Sequence, residues 1–179
     1  MVRRALFAIA IICVASMPAR AEIAPAQDAV KALGPSTNLP IPRFVTLKKD
    51  EVYMRRGPGA DHPIEWVYVR KHLPLEVVNE FELWREVKDA DGTRGWVSAN
   101  MLSGERYVMV TPRSGTKDHR WALRSKPDGK SNIVALADPG VIAELKHCPE
   151  SWCEIAAGSR TGWIERTALW GVLPGEKVD

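Results

Sequence analysis

The chain repeats one series of short motifs twice, and this repeat constrains the fold more than any other feature. The first copy contains, in order, Val52–Arg55, Leu75–Val78, Trp84–Val87, Gly95–Val97 and Met101–Leu102. The second copy contains, in the same order and about 68 residues later, Trp121–Arg124, Val141–Ala143, Trp152–Ile155, Gly162–Ile164 and Ala168–Leu169. Because the blocks keep their order and spacing, we predict two related domains, residues 43–106 and 107–179.

Each copy consists of short runs rich in Val, Ile, Trp and Tyr that are separated by Gly, Pro, Asp and Asn. Such runs predict β-strands joined by tight turns. Residues 88–93 and their counterpart, residues 157–160, are typical of hairpin tips. No stretch after residue 21 keeps a helical period for three turns, so we predict an all-β fold with two tandem small antiparallel barrels.

The amino terminus has the layout of a secretory signal peptide. Arg3–Arg4 precede an apolar run over residues 5–14, and residues 19–21 supply the small residues of a cleavage site. A membrane anchor is the alternative, but the run is about ten residues long, whereas a bilayer requires about twenty. We therefore expect cleavage after Ala21, no remaining membrane anchor, and a periplasmic or secreted protein.

Residues 22–42 separate the predicted leader from the first repeat. They contain Pro25, Pro35, Pro40 and Pro42 and keep no sustained helical or strand period. Proline-rich segments without a regular period are typical of linkers, so we expect an exposed, flexible tether here.

The charge balance argues against a nucleic-acid partner. The chain has 25 basic and 22 acidic residues, which gives a formal charge of +3. Three of the basic residues, Arg3, Arg4 and Arg20, lie in the predicted leader, so the mature chain is expected to be neutral. Because affinity for nucleic acids depends on many phosphate contacts, we expect no nucleic-acid binding.

Cys148 and Cys153 lie in the second repeat with residues 149–151 between them, a sequence typical of a turn. Three interpretations are open: a disulfide across a hairpin, two free thiols, or a metal site that also uses His147. Exported proteins meet an oxidising compartment in which disulfides form by default. A tetrahedral metal site usually requires a fourth ligand. We therefore expect the disulfide, with no metal and no cofactor.

Several of these motifs resemble the boxes of bacterial SH3-like domains. Residues 54–59, Met-Arg-Arg-Gly-Pro-Gly, resemble the Leu-Arg-x-Gly-Pro box, and Trp84-x-x-Val87 with residues 95–97 resembles the Trp-x-x-Val and Gly-Trp-Val boxes. The second copy keeps the last two boxes but lacks both glycines of the first. The tandem order is also similar to a family of exported alphaproteobacterial proteins. The resemblance implies small barrels that bind peptides or peptidoglycan and usually do not catalyse.

Strand alternation identifies candidate ligand-binding residues. Val87 and its counterpart Ile155 are expected to point into the barrels, which places Trp84 and Trp152 on the opposite strand faces. An outward tryptophan here resembles the groove tryptophan of the wider fold. The candidates for ligand contact are Tyr53, Arg55, Trp66, Phe81, Trp84 and Trp152. The alternatives are that the rings pack against the other domain and that Arg55, like Arg124, fixes its own turn by a hydrogen bond.

We predict a non-catalytic, exported binding module that recognises peptidoglycan stem peptide or an extended protein segment. The alternative function is a structural adaptor that binds another cell-envelope protein and buries its aromatic faces between the barrels. His147 beside Cys148 suggests a Cys–His peptidase, but such an enzyme requires an unpaired thiol and a separate catalytic domain. The sequence leaves the oligomeric state open.

Overall fold

Short antiparallel strands form the regular structure of both repeats in the computed structural model, which describes residues 32–115 and 119–179. An amino-terminal pair precedes the first repeat and consists of β1 (Ala32–Leu33) and β2 (Pro40–Ile41). The first repeat contains β3 (Arg43–Leu47), β4 (Val52–Arg55), β5 (Ile64–Tyr68), β6 (Pro74–Phe81), β7 (Trp84–Lys88), β8 (Arg94–Ser98) and β9 (Leu102–Ser103). The second contains β10 (Tyr107–Val110), β11 (Trp121–Arg124), β12 (Ile133–Ala137), β13 (Ile142–His147), β14 (Trp152–Ala157), β15 (Arg160–Glu165) and β16 (Leu169–Trp170). The predicted signal peptide lies outside the described residues.

Each repeat forms one seven-stranded sheet, and the two sheets have the same strand order. The first sheet has the order β5-β4-β8-β7-β6-β3-β9, and the second has the order β12-β11-β15-β14-β13-β10-β16. A 3-10 turn, Ala99–Met101 or Arg166–Ala168, precedes the last strand of each sheet. These two all-β units are tandem SH3-like domains, which confirms the predicted fold class. Among the described residues, no helix has the length and hydropathy needed to cross a bilayer.

Each barrel surrounds its own hydrophobic core. The first core contains Leu47, Val52, Met54, Tyr68, Leu75, Val77, Val87 and Val97. The second core contains Val108, Val110, Leu123, Ala137, Ala143, Leu145, Cys148, Cys153, Ile155, Ile164, Ala168, Leu169 and Val172. The side chains of Val87 and Ile155 are fully buried, as strand alternation predicted.

The repeated Gly-Trp motif has a packing explanation. A Cβ atom at Gly95 would lie 2.6 Å from the Met54 Cγ atom and 2.9 Å from the Arg55 carbonyl oxygen. A Cβ atom at Gly162 would lie 2.8 Å from the Arg124 carbonyl oxygen. These distances are too short for a side chain. Glycine therefore allows β4 to lie close to β8, and β11 to lie close to β15.

Residues 32–42 differ from the expected flexible tether, because the described part of this segment folds onto the first barrel. Strands β1 and β2 pair as a hairpin, and the Gly34 amide donates to the Leu39 carbonyl over 2.8 Å. The physical reason lies in the barrel: a buried carboxylate, Glu80, accepts hydrogen bonds from the hairpin. Residues 22–31, the rest of the predicted linker, lie outside the described residues.

The Glu80 side chain has no exposed surface and organises this contact. Its carboxylate accepts hydrogen bonds from the Thr37 amide over 2.9 Å and from the Thr37 hydroxyl over 2.8 Å. It also pairs with Arg43 over 2.6 Å and with Arg85 over 3.4 Å. Burial alone would raise the pKa of Glu80, but the hydrogen bonds from Thr37 and Arg43 and the charges of both arginines outweigh it and lower the pKa.

Trp170 holds the two barrels together, and residues from 32 onward belong to one compact unit. Its indole nitrogen donates to the Pro74 carbonyl over 3.0 Å. Its ring packs edge-on against Phe44 at a centroid distance of 5.0 Å, with the Lys88 ammonium 5.5 Å from its centroid. A second aromatic contact joins the barrels, because the His72 ring stacks on the Tyr107 ring at a centroid distance of 4.0 Å. Both contacts use residues other than the predicted ligand-binding rings.

The predicted disulfide between Cys148 and Cys153 is present. Both residues are fully buried, and Cys148 also exchanges two backbone hydrogen bonds with Val178 near the carboxyl terminus. Arg166 donates to the carbonyls of Cys148 over 3.2 Å and of Glu150 over 2.5 Å. The turn between the cysteines is therefore fixed by a covalent bond and by hydrogen bonds from the half-buried Arg166.

Candidate functional site

The first barrel carries an open groove of about 330 Å³ between β4, β7 and the 3-10 turn that follows β8. We call it the first groove. Three of the predicted ligand-binding residues line it together: Tyr53, Arg55 and Trp84. The remaining lining residues are Glu51, Val52, Ala60, Ser98, Asn100 and Met101.

Strand alternation presents these side chains to the groove. Along β4, Val52 and Met54 are buried, while Tyr53 is 45% exposed. Along β7, Arg85 and Val87 are buried, while Trp84 is half-buried on the opposite face. The core therefore fixes the backbone, and the intervening positions supply an aromatic surface.

Arg55 fixes the loop that borders the groove. Its guanidinium donates to the His62 carbonyl over 2.6 Å, and Arg124 makes the equivalent bond to the Ser131 carbonyl over 2.6 Å. A Cβ atom at Gly57 would lie 2.6 Å from the His62 ring, so this glycine lets the loop fold onto the histidine. The turn-fixing alternative for both arginines is thus observed, and Arg55 also lines the first groove.

Glu51 adds a negative charge to the aromatic wall. The Tyr53 hydroxyl donates to the Glu51 carboxylate over 2.7 Å. This hydrogen bond and the carboxylate charge raise the pKa of Tyr53 above its ordinary value. The groove consequently combines two aromatic rings with one anionic and one cationic side chain.

The other three predicted residues lie away from the first groove. Trp66 is 55% exposed on β5, and Phe81 is 51% exposed at the end of β6. Phe81 is the strand partner of Trp84 but does not line the groove. Trp152 lies on the second barrel. Three of the six predicted ligand-binding residues therefore lie together at the first groove.

The equivalent site on the second barrel is nearly closed, with a volume of about 50 Å³. Ala122 occupies the position of Tyr53, and Glu165 occupies that of Ser98 opposite the tryptophan. Trp121 fills the space, because its indole nitrogen donates to the Thr111 carbonyl over 2.9 Å and the Arg113 guanidinium covers its ring at 5.3 Å. Only the first of these two equivalent sites is open.

Three residues that contribute to the groove or to the junction of the barrels were not predicted from the sequence. Glu51 and Asn100 line the first groove, and neither stands out because both are ordinary polar residues beside strands. The third residue is Trp170, which joins the two barrels. Its position in β16 corresponds to Ser103 in β9, and this departure from the repeat is the signal that could have identified it.

Two SH3-like barrels in tandem, one with an open aromatic groove, define a class of protein that typically binds ligands and does not catalyse a reaction. The sequence matches the bacterial SH3 domain family over residues 48–104 and 117–171, more than half of the chain. The chain therefore belongs to this family. No curated protein matches the sequence.

Solved structures similar to this chain include NlpC2 and NlpC1 from Trichomonas vaginalis. NlpC2 is 11% identical with a TM-score of 0.32, and the match covers 72% of this chain and 48% of NlpC2. NlpC1 is 12% identical with a TM-score of 0.32, and the match covers 76% of this chain and 48% of NlpC1. The chain spans about half the length of these structures.

The structure also bears on the chemistry of the cysteines. Both thiols are consumed in the disulfide, so neither is a free nucleophile or metal ligand in this state. Within residues 32–115 and 119–179, no group of three or more His, Cys, Asp or Glu side chains is arranged to hold a metal ion.

Proposed function

We propose that the protein is an exported, non-catalytic binding protein of the cell envelope that holds an extended peptide in the first groove. The ligand is a peptidoglycan stem peptide or an extended segment of an envelope protein. The observation that carries the proposal is the open groove formed by Tyr53, Trp84 and Arg55. Extended peptides are commonly held by aromatic surfaces of this kind on barrels of this size.

The exposure of the rings supports ligand contact over packing within the molecule. The aromatic contacts between the barrels join Phe44 to Trp170 and His72 to Tyr107. Tyr53 and Trp84 instead line an open groove. The disulfide supports the export part of the proposal, because such bonds persist in oxidising compartments. It also supports a non-catalytic role, because the Cys–His peptidase alternative requires a free thiol.

Sedimentation with purified cell-wall sacculi tests the wall-binding form of the proposal. We expect the protein to cosediment and the variant Trp84→Ala to bind at least about tenfold more weakly, since burial of an aromatic side chain contributes about 1.5 to 3 kcal/mol. Trp66→Ala is the matched control, because this ring is exposed but lies outside the groove.

Two results would contradict the wall-binding proposal. One is no cosedimentation of the unaltered protein. The other is equal binding by Trp84→Ala and the unaltered protein, or a loss confined to Trp66→Ala. Thermal unfolding of each variant checks that a loss of binding does not come from a loss of structure.

The second candidate function is that of an adaptor between envelope proteins. The junction at Trp170 favours it, because a hydrogen bond, an edge-on ring contact and a nearby ammonium fix one barrel on the other. A fixed pair of barrels can present two surfaces at a constant separation. Crosslinking in the cell envelope distinguishes the adaptor from the wall-binding form of the first proposal, since an adaptor is recovered on proteins and a wall-binding module on sacculi. Trp84→Ala distinguishes the adaptor from a groove that holds a protein segment, because only the latter loses its crosslinks in this variant.

A further inference from the structure

The second barrel exposes an uncharged apolar edge strand. Strand β12, Ile-Val-Ala-Leu-Ala, lies at the end of its sheet, and β11 is its only neighbour in the sheet order. Ile133 is 56% exposed and Leu136 is 49% exposed. Natural proteins usually protect such edges with charges, prolines or bulges, because an open edge offers unpaired backbone groups to another strand.

An apolar cavity of about 170 Å³ opens beside this strand. The residues that line it include Ala135 and Ala137 of β12, Leu123 of β11 and Ile155 of β14. Ile155 is fully buried, so the cavity reaches the core of the barrel. An apolar cavity on the order of 150 Å³ is large enough to bind a benzene ring.

In the first barrel, aromatic side chains occupy the positions that correspond to the alanines at this cavity. The pairing of β4 with β5 and of β11 with β12 makes Trp66 equivalent to Ala135, and Tyr68 equivalent to Ala137. Tyr68 is only 5% exposed and packs in the first core, where its hydroxyl donates to Asp89 over 3.2 Å. Two alanines in place of two aromatic residues therefore leave the second barrel without the ring that completes the first.

The rim of the cavity carries one charge of each sign. Arg160 and Asp138 both line it, and neither side chain has an ion pair or hydrogen bond within residues 32–115 and 119–179. An occupant with an acidic residue near its aromatic ring would complement the arginine, and a basic residue would complement the aspartate.

We propose that β12 and its cavity form a second docking site, at which an extended segment of a partner protein adds to the sheet as a strand. The segment inserts one aromatic side chain between Ala137 and Ile155 and carries an acidic residue that faces Arg160. Backbone pairing supplies affinity and the cavity supplies specificity, as in other cases of strand addition. This site is independent of the first groove.

Titration of the isotopically labelled protein with an acetylated and amidated heptapeptide, Thr-Lys-Val-Tyr-Val-Asp-Thr, tests the proposal by NMR. We expect shifts of the amides of β12 and the cavity walls. A peptide with Ala in place of Tyr is expected to bind at least about tenfold more weakly, because the buried ring is lost.

Three variants of the protein make the test specific. Ala137→Phe fills the cavity from inside with a ring that needs no hydrogen-bond partner, and it is expected to weaken peptide binding at least about tenfold. Arg160→Glu is expected to weaken binding of this peptide and to restore binding of a peptide with Lys in place of Asp. Trp66→Ala, which removes an exposed ring of the first barrel outside both sites, is expected to bind the peptide like the unaltered protein.

The proposal is overturned if the peptide gives no shifts at β12, if shifts are confined to the first groove, or if the Tyr and Ala peptides bind equally. It is also overturned if the unliganded protein dimerises through β12 in sedimentation experiments, since the occupant would then be a second copy of the chain. Arg160→Glu keeps the test decisive even if Ala137→Phe fails to fold, because Arg160 lies at a solvent-exposed hairpin end.

Discussion

Replacement of Glu80 by glutamine should release the amino-terminal hairpin and destabilise the first barrel. Glutamine keeps the size of the side chain but removes its charge and puts an NH2 group where an acceptor stood. The Thr37 amide and the Arg43 and Arg85 guanidinium groups would then compete for a single acceptor. The side chains of Arg43 and Arg85 are 19% and 10% exposed, so water replaces the lost partner only in part.

The burial of the Glu80 ion pairs sets the expected loss in the free energy of unfolding. Removing one member of a buried ion pair costs about 3 to 5 kcal/mol, and the near-isosteric glutamine places the effect at about 3 kcal/mol. For a chain of this length, a loss of that size lowers the unfolding temperature by roughly 6 to 12 °C. Glu82→Gln is the matched control, because Glu82 is exposed, two residues away, and should change stability by less than about 0.5 kcal/mol.

Thermal unfolding followed by tryptophan fluorescence measures the global effect, and amide hydrogen exchange of Ser36 and Thr37 measures the release of the hairpin. Because the pKa of Glu80 is lowered in the folded state, its contribution is complete above the ordinary value of 4.5 and is lost as the pH falls through the lowered value. The unaltered protein should therefore lose stability more steeply in acid than Glu80→Gln. Unchanged exchange in the hairpin, or a loss below about 1 kcal/mol, would show that Glu80 does not hold the hairpin on the barrel.

Two further predictions concern the junction and the disulfide. Trp170→Ala removes the bond to Pro74 and the ring contacts of Trp170, so we expect a loss of about 3 kcal/mol. NMR relaxation should show greater relative motion of the barrels, with the stacking of His72 on Tyr107 retained; unaltered relaxation would contradict the role of Trp170 at the junction. Replacement of Cys148 and Cys153 by serine should destabilise the second barrel by about 2 kcal/mol, because a six-residue ring restricts the unfolded chain only modestly. Denaturant unfolding measures this loss, and a change in the first barrel instead would contradict the assignment of the disulfide to the second core.

The repeat was enough to predict the fold, because hydrophobic periodicity and turn residues act locally. Val87 and Ile155 alternate with outward residues along their strands, and this alternation predicted which face Trp84 presents. The disulfide was also predictable, since only two residues that are close in sequence and separated by a turn were involved.

The amino-terminal hairpin was not predictable from the same signals. Its prolines and glycine are typical of linkers, and its stability depends on Glu80, which is more than forty residues away in the sequence. A buried acid in an otherwise alternating strand looks like a surface residue until the partners that neutralise it are known.

The candidate site was predicted in part for a similar reason. Tyr53, Arg55 and Trp84 were each identified from their own strands, but their assembly at one groove depends on how β4 and β7 meet β8 across the barrel. Trp66 and Phe81 are also aromatic residues in strands, but they do not line the groove. Residue type alone does not predict where a side chain lies around a closed sheet.

Two small β-barrels, with a disulfide in the second, could be predicted from the amino-acid sequence. These features follow from local periodicity, turn chemistry and close sequence spacing. Three-dimensional packing, in contrast, leaves one groove open, fills its counterpart with Trp121 and joins the barrels through Trp170. It also decided that Ala135 and Ala137 leave a cavity where Trp66 and Tyr68 stand in the first barrel. Each of these depends on which distant side chains fill a given space, and that is a property of packing.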